Sequence, residues 1–244
     1  MDIQREQRKF REGTPSRLGR GIERLTHPFG KALAGIVPKR VVEAVLKGLD
    51  QAVGAPQLVR FEHDPKDLTA AHRAAEKAAR TARSISATTG AAAGLGGAIS
   101  MSADIPATIA IALRTIRDTG HAYGFDGEGP AEKLFRLQIL ELAALDDPDE
   151  RKQRIADLEV GIGPDGELVR ADHEHITPVV DQAVERISRA IAFASFRNRA
   201  GMIVPLVGSV VGGIVNSSFQ NDVGKAARFA FQARRLRELE TSPG

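Results

Sequence analysis

Two runs of small residues constrain this chain more than any other feature. They are TGAAAGLGGAISMSADIP, from Thr89 to Pro106, and MIVPLVGSVVGGIVNSSF, from Met202 to Phe219. Each contains a GxxxG spacing, Gly90 with Gly94 and Gly208 with Gly212. Glycines at helical spacing let backbones approach closely. The Gly96-Gly97 doublet adds a candidate hinge. Aromatic residues make up 5% of the chain and Trp is absent. Strand proteins lean on β-branched and aromatic residues. A core of Ala, Gly, Leu, Ile and Val instead favours close helix–helix contact. The expected fold class is therefore all-α, a single compact multi-helix domain with two Gly-rich helical segments.

The 244 residues suffice for a substantial core. With no cysteine, disulfides, thiolate catalysis and Cys-ligated metals are excluded. The formal charge of +3 is mild. A dedicated nucleic-acid binder concentrates far more basic charge on one face, so nucleic acid is not an expected partner. The basic bias is local. Arg5, Arg8, Lys9, Arg11, Arg17, Arg20 and Arg24 crowd one end, and Lys225, Arg228, Arg234, Arg235 and Arg237 crowd the other. Such ends suit an anionic membrane surface, or they are simply solvated tails. No apolar stretch follows the first basic residues, so a secretory signal is not expected and the cytoplasm is the expected location.

Residues 1–27 read as a flexible basic lead and residues 28–240 as the helical domain. Apolar positions keep a helical rhythm from Pro28 to Val53, and an Ala-rich helix runs from Asp67 to about Gly90. In ADIPATIAIALRTIRDTGHAYGFD, Asp104 precedes Ile105-Pro106 as a helix start, and Gly124 sits where the helix would stop. Gly129-Pro130 and Asp147-Pro148 begin two more helices. Residues 161–172, with the turn GPDGE, read as a polar excursion, followed by a helix over about 176–200. The last helix is expected over 222–240. Neither small-residue run makes a convincing membrane span: Asp104 and Pro106 interrupt the first and the second is too short. They are either buried core or apolar hairpins entering a bilayer surface, and composition favours the core.

The best polar cluster lies on the helix that begins near Asp104. Arg114, Arg117, Asp118 and His121 gather on one side of it, with Tyr123 at its end. Two arginines near a His can hold a phosphate or carboxylate, and an Asp beside a His can set its tautomer. The plainer alternative is a solvated face of ion pairs worth a few tenths of a kcal/mol each. Glu62-His63-Asp64 and Asp172-His173-Glu174-His175 do not match HExxH spacing, so no metal is expected. The Gly90–Gly97 run lacks GK[ST] and a preceding strand, so no nucleotide cofactor is expected either.

The string ADIPATIAIALRTIRDTGHAYGFD with PAEKLFRLQILELA, and later IVPLVGSVVGGIVNSSFQNDVGKAARFAF, resembles the paired motifs of the EcsC family. The resemblance covers about residues 30–237. It implies a helical bacterial protein, cytoplasmic or peripheral to the membrane, with no established reaction, whose family takes its name from a gene beside an ABC transporter operon. By motif it carries over Asp104, Pro106, Arg114, Tyr123, Gly124, Asp126, Pro205, Gly208, Gly212 and Asn216. Two functional expectations follow. The first is a non-enzymatic adaptor at a membrane or membrane complex, touching anionic headgroups through Lys225, Arg228, Arg234, Arg235 and Arg237 of a basic last helix. The second is a small-ligand binder or enzyme using Asp104, Arg114, Arg117, Asp118, His121 and Tyr123.

Overall fold

A computed structural model describes residues 2–13, 43, 47–48, 52, 55–95, 101–145, 147–169 and 208–241. Among them are six helices and no strand: α1 (Ile3–Glu12), α2 (Leu68–Leu95), α3 (Met101–Ala122), α4 (Pro130–Ala144), α5 (Pro148–Val160) and α6 (Gly208–Thr241). The chain is all-α, as its composition implies. The helices expected over 28–53 (four positions apart) and 176–200 lie outside the described residues, as do Gly96-Gly97 and Pro205.

The long helices α2 and α6 form the frame. Asp67 caps α2, its Oδ1 accepting from the backbone of Thr69 at 2.9 Å and Ala70 at 3.0 Å; such a cap is worth about 1 kcal/mol. Alanines then recur at helical spacing. Ala71, Ala75, Ala78, Ala79 and Ala82 are buried on one face of α2, facing Val223, Ala226, Ala227 and Ala230 of α6. The approach is so close that a Cβ on Gly224 would lie 2.8 Å from Ala79 Cβ. His72 meets Gln232 at one end of the contact and Arg83 meets Asn221 at the other, so the helices are antiparallel. α3 runs parallel to α6, Gln220 reaching the Thr108 carbonyl at 3.0 Å and Gly120 seating the Phe231 ring. α4 and α5 close the bundle at the far end of α6.

Three boundaries differ from expectation, the first being that α2 runs past Gly90 to Leu95. α3 is helical from Met101, so Asp104 and Pro106 are its fourth and sixth residues rather than its cap and first turn. Met101 and Ala103 are good helix formers and carry the helix back beyond the proline. α6 begins at Gly208 rather than near Asp222, so the second Gly-rich run and the basic helix are one element. The stop at Gly124 is as expected and has a complete Schellman geometry. Phe125 N donates to Gly120 O at 2.8 Å, Gly124 N to His121 O at 3.0 Å, and Gly124 has φ +80°.

The lead expected to be flexible contains α1, which docks on α6. Ile3 and Gln7 are buried, and the Phe10 ring stacks on Phe229 with centroids 4.5 Å apart. The spacing of Ile3, Gln7 and Phe10 puts them on one face, although the polar composition of the stretch masks it. The expected excursion after Gly161 is also docked in its described part. Ile162 is buried and bridges to Leu168, and Gly166, at φ +76°, lies against the α6 backbone at Arg234.

Gly224→Ala is expected to lower the urea midpoint despite the helix propensity gained, because the new methyl overpacks the α2–α6 contact by about 1–3 kcal/mol. Adding Ala79→Gly should restore part of the loss. A purely additive double mutant would show that the close contact does not set the spacing of the two helices.

Candidate functional site

The basic row of α6 faces inward over much of its length. Arg234 is 1% exposed; its Nη1 donates to both oxygens of Glu132 at 2.9 and 3.0 Å, and its Nε to the Gly166 carbonyl at 2.9 Å. Its guanidinium lies 3.9 Å from the Phe125 ring centroid and 5.2 Å from that of Phe135. Arg235, 4% exposed, donates to the Tyr123 carbonyl and pairs with Glu238 at 2.6 Å. Arg237 donates to the Ile162 carbonyl, and Arg228 lies 3.5 Å from Glu6. Of the five residues expected on a headgroup-facing surface, Lys225 alone is exposed, with Asp222 3.4 Å away. This corrects the expectation for Arg234 and Arg235. Linear clustering of arginines cannot reveal that α3, α4 and the 161–169 loop supply acceptors along that side of the helix. A guanidinium with several acceptors and an aromatic face is well matched to such a position.

The Tyr-Gly-Phe-Asp turn is the partner of those arginines. Tyr123 offers its carbonyl to Arg235, and its hydroxyl accepts from Gln232 Nε2 at 3.0 Å. A Cβ on Gly124 would overlap the Arg235 guanidinium and lie 2.8 Å from Pro65. Tyr123 is fully buried, and burial pushes its phenol up, so it stays protonated and acts as a hydrogen-bonding group.

Around Gln232 lies a polar cluster that sequence reasoning missed. It joins Glu6 and Gln7 of α1, His72 and Glu76 of α2, Tyr123, and Arg228 with Gln232 of α6. Glu6 Oε2 lies 3.2 Å from His72 Nδ1 and 3.1 Å from Gln232 Nε2. Gln7 Nε2 donates to Gln232 Oε1 and to the Phe229 carbonyl, both at 2.9 Å. Burial alone would raise the Glu6 carboxyl. Hydrogen bonds from His72 and Gln232, with the charges of His72 and Arg228, outweigh it and hold the group at about 2, below its ordinary 4.5. No local signal marks this set, because Glu6 and Gln232 are separated by more than two hundred residues.

The polar side of α3 is buried rather than solvated. Asp118 is 0% and Arg117 4% exposed, and they pair at 3.0 Å. Both also hold the chain that crosses α3. Asp118 accepts from the backbone N–H of Leu58, and Arg117 donates to the Ala52 carbonyl. His121 Nδ1 meets Gln57 Nε2 at 2.9 Å, and His63 Nε2 meets the Ala122 carbonyl at 2.8 Å. Arg114 and His121 are half-buried, and Nε of Arg114 and Nε2 of His121 have no hydrogen-bond partner among the described residues. Burial pushes His121 down, which keeps its ring neutral at pH 7; the nearby Asp118 only partly opposes this. The structure thus unites Arg117, Asp118 and His121, but as a brace for Ala52 and residues 55–63. Tyr123 belongs to the Gln232 cluster instead. Among the described residues no group of three His, Asp or Glu side chains could hold a metal ion.

Two further features remain. The antiparallel register brings three helix ends together: 84–95 of α2, 101–113 of α3 and 208–221 of α6. Asp104 is the single ionisable residue in these stretches. They are about 18–21 Å long at 1.5 Å per residue. No helix among the described residues is long and apolar enough to cross a membrane. Beside them, Arg73, Lys77 and Arg80 form an exposed row on α2, on the face opposite its buried alanines. None of the three makes an ion pair among the described residues.

Two measurements test this assignment of side chains. Arg234→Ala should cost about 3–5 kcal/mol in urea unfolding, because it strands Glu132 in a mostly buried position, and Arg234→Lys should recover little of it. A cost under 1 kcal/mol would return Arg234 to the surface. Glu6 has a depressed carboxyl, so its contribution is complete above pH 4.5 and is lost as pH falls toward about 2. With its side chain about a third exposed, that contribution is about 1 kcal/mol. The stability gap between wild type and Glu6→Gln should therefore close between pH 5 and about pH 2. A constant gap would contradict the pairing.

The EcsC protein family model matches residues 2–236 of the chain. "Protein EcsC" of Bacillus subtilis (strain 168) is 24% identical over 204 residues, covering 81% of this chain and 78% of that protein. "Uncharacterized protein YdbA" of the same organism is 24% identical over 213 residues, covering 85% of this chain and 70% of that protein. No solved structure shows a significant match. With nearly its whole length matched, from α1 to the arginine-rich turns of α6, the chain belongs to the EcsC family.

Proposed function

We propose that this protein is a non-enzymatic helical accessory factor that docks on a membrane surface by immersing the joined ends of α2, α3 and α6 in one leaflet. The observation that carries this reading is the register of α2 against α6, which gathers three nearly charge-free helix ends at one end of the bundle. Their length of about 18–21 Å exceeds one leaflet, about 15 Å, and falls short of the ~30 Å hydrocarbon core. Docking without crossing is the mode that fits those lengths. Asp104 alone would be costly in such a position. The family resemblance points to a transport or secretion complex as the neighbour at that surface. If protein-free vesicles bound the chain as tightly as native bacterial membranes do, no such neighbour would be needed.

The test is flotation with neutral and anionic liposomes over a salt series, for wild type and Val211→Arg. Wild type should float with vesicles, retaining a salt-resistant component. Val211→Arg should weaken that component at least tenfold while leaving the unfolding free energy from urea titration within about 1 kcal/mol of wild type. A large drop in the midpoint without loss of flotation would make this end a buried core. No flotation with either vesicle would overturn the proposal and turn attention to the half-buried His121 and Arg114.

A further inference from the structure

The membrane reading leaves open which lipids the protein meets and which residues meet them. The basic surface expected on α6 is largely consumed inside the fold. Another lies on α2. Arg73, Lys77 and Arg80 follow i, i+4, i+7 spacing and share one face. All three are exposed, and none has an ion-pair partner among the described residues. Most other cations near the bundle axis behave differently. Arg117, Arg228, Arg234 and Arg235 each have a carboxylate within 3.5 Å. A solvated row of cations without partners is a standing attraction for anions.

Its position on the helix gives the row a second property. Arg80, Lys77 and Arg73 lie about 6, 10 and 16 Å along α2 from Ser84, where the charge-free end begins. The headgroup zone adds about 5–8 Å to each side of the hydrocarbon core. With that end immersed, Arg80 falls within the headgroups and Lys77 at their outer edge. Arg73 stays within a Debye length, about 8–10 Å, of the surface. The charge of α4, α5 and their flanking loops agrees in sign. Residues 126–167, which form α4, α5 and their flanking loops, carry twelve acidic and five basic side chains. They pack against the C-terminal half of α6, away from the immersed end. An anionic surface would attract the α2 side and repel the far end, which orients the molecule as immersion requires.

We infer that Arg73, Lys77 and Arg80 form a headgroup-binding row that selects anionic phospholipid membranes. This rests on the membrane reading above and adds lipid charge selectivity to it. The row supplies the salt-sensitive part of binding, and the immersed helix ends supply the salt-resistant part.

The experiment compares wild type, Lys77→Gln/Arg80→Gln and the distal control Lys133→Gln. Each is titrated with phosphatidylcholine vesicles and with vesicles containing 30% phosphatidylglycerol, at low and physiological salt. Each charge removed should weaken anionic-vesicle binding about 5-fold at low salt, or about 25-fold for the pair, with no effect on neutral vesicles. Lys133→Gln should match wild type. If wild type binds both vesicles equally at all salts, or the double variant is unchanged, the row is overturned and immersion stands. If wild type binds no vesicle, both readings fail. Binding to single-stranded RNA that the double variant loses, while vesicle binding is unaffected, would reassign the row to nucleic acid.

Discussion

The close contact between the alanine face of α2 and the small-residue face of α6 is the constraint on which the rest depends. With Ala79 opposite Gly224, the two backbones approach without intervening side chains. Such a contact contributes less apolar burial per residue than leucine packing does. It compensates by close backbone approach, in the one offset that also pairs the polar groups at its two ends. That offset brings His72 to Gln232 and Arg83 to Asn221. Everything at either end of the bundle inherits its position from this match.

At one end the match assembles polar groups. Gln232 touches side chains from α1, α2 and the turn after α3 together, its amide nitrogen donating to Glu6 and the Tyr123 hydroxyl and lying 3.2 Å from His72 Nδ1. A buried network of this kind specifies one arrangement, because each missing partner leaves a desolvated polar atom behind. Arg234 and Arg235 extend it by tying the Gly124 turn, α4 and the loop at Gly166 to one helix face. At the other end the same match assembles helix stretches with almost no charge. The described helices therefore have a heavily hydrogen-bonded end and an end where α2, α3 and α6 carry almost no charge, with a row of exposed cations between them on α2.

Much of the helical framework was legible in the residues. Asp67, Gly124, Gly129-Pro130 and Asp147-Pro148 mark helix ends through local backbone chemistry, and the structure places them there. Legibility failed where the decisive partner was distant. The first residues look like a solvated tail because most are charged, yet Ile3, Gln7 and Phe10 suffice once α6 offers Phe229. The arginines near the end look like a surface because arginine usually is one. Burial became possible only because Glu132, Gly166 and the Phe125 ring converge on Arg234. The polar side of α3 was singled out from spacing, but its use in holding Ala52 and residues 55–63 depends on contacts that no spacing encodes.

By itself, then, the sequence determined the helical class, the helix ends with local caps, the closeness of packing and the family. Each of these follows from short-range sterics, backbone hydrogen bonding or residue size. Tertiary structure alone decided which charges are buried and which remain free, since that depends on acceptors brought from remote parts of the chain. It buried most of the basic side of α6 and left Arg73, Lys77 and Arg80 of α2 exposed. It also placed three separate charge-free stretches side by side, because the antiparallel register of α2 and α6 converts distance along the chain into proximity in space.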